Sequence, residues 1–104
     1  MHPRVSPLLA ALMLAAAGEV WAEEQPDTAT VLVTVTQAHS LCLIETDTLP
    51  APQAQSIAAR FLAEQGISPL QRIAVQRDPQ FRDLLGAYIQ QRGGCRRLVD
   101  ALMP

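Results

Sequence analysis

The chain has 104 residues, 49% apolar and 17% charged, with a formal net charge of −2 at neutral pH. That length favours one domain, and the slightly acidic balance argues against bulk attraction to nucleic acid. Two histidines and two cysteines exclude the His-rich di-metal hydrolases and phosphodiesterases, which need several imidazoles to hold their ions.

Residues 1–22 carry the three parts of a secretory signal. Arg4, with His2, makes a short positive start, and Val5 to Ala17 is an apolar run. Its length, roughly a dozen residues, suits a signal and is too short to span a bilayer. Val20-Trp21-Ala22 then offers a peptidase site ahead of Glu23-Glu24, so cleavage is expected after Ala22. The alternative, after Ala17, would leave Trp21 in an exposed N-terminus. With no Cys near that point, a lipidated N-terminal Cys is not available, and nothing later is apolar enough for stable membrane insertion. The expected destination is the periplasm, an equivalent extracytoplasmic space, or the medium.

Residues 23–28 then read as a flexible polar arm and 29–104 as a single helical domain. The stretch TVLVTVT is β-branched at six of seven positions and leans to a strand on propensity. Helical geometry instead aligns Val31, Val35, Ala38 and Cys42 on one stripe, flanked by Leu32, His39 and Leu41. A strand would find only the short Ile73-Ala74-Val75 run to pair with. The reading is a helix over 29–46, capped by Asp27 or Thr28.

Pro50 and Pro52 open a second helix, whose Ala54, Ile57, Ala58, Phe61 and Leu62 follow the spacing of a buried face. Gly66 is placed to stop it in a left-handed turn, with Ile67 folding back on Leu62. Ser68-Pro69-Leu70-Gln71 is a capping box with proline at the first helical position. It predicts a short helix with Leu70, Ile73 and Ala74 inward. Asp78-Pro79 opens a fourth helix carrying Phe81, Leu84, Leu85, Tyr88 and Ile89 on one stripe, and Gly93-Gly94 ends it. A last short helix, Cys95 to Met103, offers Leu98, Ala101 and Leu102. The fold class is all-α, a small bundle or array of four to five short helices.

Removing the signal leaves about 80 residues, near the lower limit for an unstapled core. In an oxidising compartment Cys42 and Cys95 most simply form one disulfide. Closing a loop of roughly fifty residues is worth about 4 kcal/mol by chain entropy, comparable with the stability of so small a domain.

The residues offer little for catalysis. His39, Cys42 and Glu45 fall on adjoining turns of one helix, but a structural zinc site wants four ligands, mostly Cys or His. No metal site and no cofactor is therefore expected. Ser40 adjoins His39, yet neighbours on a helix point about 100° apart and make no nucleophile–base pair. There is no C-x-x-C or C-x-x-C-H motif. Asp78 is explained as a cap, and no constellation marks an enzyme.

The most suggestive feature is arginine. From Glu23 to Asp47 there are five acids and no base, whereas from Thr48 onward seven arginines face four acids. Arg92, Arg96 and Arg97 cluster around the Gly-Gly turn and form a candidate partner-binding patch, since guanidinium forks suit carboxylates or phosphates. The competing reading is a solvated face, with Arg96–Asp100 and Asp78–Arg82 as i, i+4 pairs and Arg92 on a helix C-terminus.

Taken together, the signal, QAHSLCLIET, ARFLAEQGIS, the D-P-x-F helix start and GGC resemble small exported helical proteins of the kind found in cyanobacteria. That resemblance implies no activity and no site residues. In architecture alone the chain looks like periplasmic immunity proteins and like single-disulfide acid-stress chaperones. The expected function is a non-enzymatic module that binds another protein, in the manner of an inhibitor or immunity protein. A periplasmic stress chaperone and a small ligand or metal carrier are the alternatives.

Overall fold

The ambiguous β-branched stretch lies in the longest helix among the described residues. The computed structural model describes residues 27–103, so the expected signal and most of the expected arm lie outside it. Helix α1 runs Thr28–Glu45, with Asp27 as N-cap accepting from the Thr30 amide at 2.7 Å. It is followed by α2 (Ala51–Glu64), α3 (Pro69–Arg77), α4 (Phe81–Gln91) and α5 (Cys95–Leu102). These five helices make the described chain all-α, without a strand.

Helix α1 is central: each of the other four packs on it. Its buried residues are Val33, Thr34, Thr36, Ala38, Ser40 and Cys42, which at 100° per residue surround the helix instead of forming one stripe. Coverage on nearly every side explains why tertiary packing overrides strand propensity here. The expected stripe is corrected accordingly: Ala38 and Cys42 are fully buried, while Val31 is exposed.

The turns follow their residue chemistry. At the end of α2, Ile67 N–H donates to Leu62 O at 3.0 Å and Gly66 N–H to Ala63 O at 3.1 Å. Together they form a Schellman motif that places Gly66 at φ +78°. Both bonds of the Ser68–Gln71 capping box are made, at 2.8 and 3.2 Å. Helix α4 begins at Phe81, slightly later than Asp78-Pro79 promised, because the Asp78 carboxylate accepts from the Gln80 amide at 2.8 Å and closes a turn first. Gly93 and Gly94 complete a second Schellman motif on Gln90 O and Ile89 O.

Two apolar clusters sit at opposite ends of α1. Val33, Leu62 and Val75 form one, with Ile67 and Phe81 against it; Cys42, Leu98 and Val99 form the other, with Tyr88 and Ile89. Helix α2 therefore runs antiparallel to α1, and α4 runs parallel to it, from Phe81 in the first cluster to Ile89 in the second. The Cys42–Cys95 disulfide joins α1 to the start of α5 within the second cluster.

Three of the periodic faces are narrower than the sequence implies. On α2, Ala54, Ala58 and Leu62 are buried, but Ile57 and Phe61 remain 47% and 41% exposed. Among the described helices only α1 packs on α2, and it covers a stripe one side chain wide. On α3, Val75 is buried while Leu70 is 80% exposed and Ile73 and Ala74 are also exposed. The fixed turn at Gly66–Ser68 delivers this two-turn helix with its Val75 side toward Val33 and Leu62. On α5, Leu98 and Val99 face inward, and Ala101 and Leu102 do not.

Candidate functional site

The exposed row of α2 forms one wall of a groove. Ala54 and Ala58 of α2 are small and buried, which lets the helix approach the Thr36–Ser40 side of α1 closely. The larger Ile57 and Phe61 then stand beside the contact instead of in it. Across from them lie Leu32, Val35 and Leu43 of α1, with Leu102 of α5 at one end. The space enclosed is about 370 Å³, at the lower end of the range of small-molecule sites. The lining is apolar apart from the Thr36 and Ser40 hydroxyls and the edge of His39.

His39 and Leu102 also line a second, smaller cavity of about 240 Å³, walled by Tyr88, Arg92, Arg97 and Leu98. The two spaces are thus neighbours sharing a boundary. At that boundary His39 Nε2 and Tyr88 Oη are hydrogen-bonded at 3.0 Å. The Arg92 guanidinium lies 5.1 Å from the Tyr88 ring centre, within cation–π range. Burial, and secondly the charge of Arg92, hold the His39 pKa below its ordinary 6.5, so the imidazole is neutral at pH 7. A neutral ring either donates from Nε2 to the phenol or accepts the phenol proton there.

Gly93 shapes the second cavity. It sits at φ +88°, and a Cβ there would meet Arg97 Cδ at 2.6 Å. The missing side chain is what lets the Arg97 stem lie across the turn and share a cavity with Arg92.

Of the arginines expected to act together, the structure brings Arg92 and Arg97 to one cavity. Arg96, also exposed, is not among its lining residues. The trio His39, Cys42 and Glu45 does not converge. His39 turns to Tyr88, Cys42 is bonded to Cys95, and Glu45 Oε2 lies 3.6 Å from the Cys95 sulfur. Among the described residues no three His, Cys, Asp or Glu side chains gather as a ligand set.

Two parts of this site escape sequence reasoning. Tyr88 reads as one more member of the α4 stripe, and no local pattern marks its pairing with His39 across 49 positions. Ile57 and Phe61 read as core, because periodicity puts them on one face with Ala54, Ala58 and Leu62 and carries no information on how many neighbours the helix has. Among the described residues no helix is long and apolar enough to cross a membrane. Comparison with family models, curated proteins and solved structures finds no match.

Proposed function

We propose that this chain is a non-enzymatic exported binding protein and that the groove between α1 and α2 is its ligand site. The supporting observation is the pair Ile57 and Phe61: two large apolar side chains left half open on one helix, facing apolar residues of α1 across a space of about 370 Å³. Half-open side chains that converge on one concavity have a common use in ligand burial, unlike scattered exposed ones. Export is supported by the signal-like residues 1–22 and is compatible with the disulfide.

The test uses a neutral solvatochromic dye such as Nile red with the oxidised protein at neutral pH. Saturable one-to-one binding is expected, lost in Ile57→Asp and retained in Leu70→Asp, whose side chain lies on another helix. Absence of saturable binding by the parent protein would contradict the proposal.

A protein partner is the second reading, favoured by a separate observation. Leu70 and Ile73 are exposed three residues apart on α3 and present one apolar edge outside the groove. In that reading the Leu70→Asp variant, and not Ile57→Asp, abolishes association.

A further inference from the structure

We propose that the natural occupant of the groove is a single-chain carboxylate amphiphile of the fatty-acid type, its tail along α1 and α2 and its carboxylate between Arg92 and Arg97. This inference rests on the groove being the ligand site and adds what the ligand is. The first support is continuity. The apolar groove and the arginine-lined cavity share His39 and Leu102, so a chain lying in the groove reaches the guanidiniums without leaving the surface.

The second support is charge. Among the described residues neither cavity is lined by an Asp or Glu, and the second has two arginines. Arg92 lies over the Tyr88 ring, and its charge reaches His39 strongly enough to disfavour a further positive charge there. A ligand anion at this rim would meet guanidinium donors of the geometry that carboxylates accept. The Tyr88 hydroxyl stands at the junction, held by His39.

The third support is size. A groove of about 370 Å³ is near the minimum for a small-molecule site, which matches one acyl chain and not the two of a membrane phospholipid. Gly93 adds to the case, because its missing Cβ is what allows Arg97 onto this rim.

The experiment is a calorimetric titration of the oxidised protein with decanoate, decyl maltoside and decyltrimethylammonium, all below their micellar concentrations. Decanoate is expected to bind one-to-one, about tenfold tighter than the maltoside, as a charge-assisted hydrogen bond provides, with the cationic amphiphile weakest. The double variant Arg92→Gln/Arg97→Gln should bind decanoate only as well as the maltoside. Its unchanged maltoside affinity reports that it is folded. Equal binding of decanoate and maltoside by the parent protein would overturn the carboxylate assignment and leave the groove as the site. No binding of any of the three would overturn both.

Discussion

Single residues in this molecule carry consequences that their type alone does not announce. Thr34 is buried in α1, and its Oγ1 is the one buried side-chain oxygen without a hydrogen-bond partner among the described residues. Thr34→Val keeps the β-branch and removes the unsatisfied hydroxyl, so it should stabilise the fold by about 1 kcal/mol. Urea unfolding reads this as a higher midpoint at unchanged slope; an unchanged or lower midpoint would mean that the hydroxyl is satisfied in solution. His39 gives the fold a pH dependence of definite sign. Its folded pKa lies below the ordinary 6.5, so on acidification the unfolded chain takes up the proton first. Stability is full above about pH 6.5, falls as the pH drops below it, and stops falling on this account once the folded pKa is passed. The lowered pKa of Asp27, caused by its bonds to Thr30, acts in a separate window. Its contribution is present above 3.8 and lost as the pH falls further. Thermal unfolding at about pH 7 and pH 5 should show a smaller drop for His39→Gln than for the parent. Equal drops would assign the acid sensitivity elsewhere.

At the scale of elements, sequence pattern and structure part company over faces, not over helices. Propensity pulls TVLVTVT toward a strand, and the packing of α1 as the central helix against the other four described helices favours the helix instead. The starts and stops were legible because they are local: Pro52, Gly66, the Ser68–Gln71 box and Gly93 each act through neighbours within a few residues. The inward face of a short helix is not local. It depends on which neighbours exist, which is why the sequence pattern points Leu70 and Ile73 inward while the structure buries Val75 instead. The same blind spot hid the groove, since periodicity assigns Ile57, Phe61 and Leu62 to one face. The structure separates them sharply. Leu62→Ala should cost about 3 kcal/mol, as truncation of a buried leucine does, whereas the adjacent Phe61→Ala should cost less than about 1 kcal/mol while weakening dye binding. Comparable destabilisation by the two would show that the α2 row is core after all. Gly93→Ala offers a check on the arginine rim. The strained φ and the contact with Arg97 predict loss of stability together with loss of the preference for decanoate over maltoside.

For the whole molecule, the organising fact is that one helix is shared by two small cores and the chain is tied at only one of them. The disulfide links Cys42, fully buried, to Cys95 across 53 positions, fixing α5 and with it Leu102, which closes the groove, and Arg97, which lines the neighbouring cavity. Reduction should lower stability by about 4 kcal/mol, and it should weaken ligand binding before the α1–α2 hairpin melts. The staple was legible from composition and the supposed compartment. The site was not, because it joins residues of α1, α2, α4 and α5 that come together only in three dimensions. Whether the molecule carries one small amphiphile can be read from native mass spectrometry of the protein purified gently from its own exported fraction. A carrier should give an oxidised polypeptide beginning at Glu23 with one small anionic lipid-like molecule bound. The oxidised polypeptide alone, or in stoichiometric complex with a second protein and no small molecule, would contradict the carrier reading.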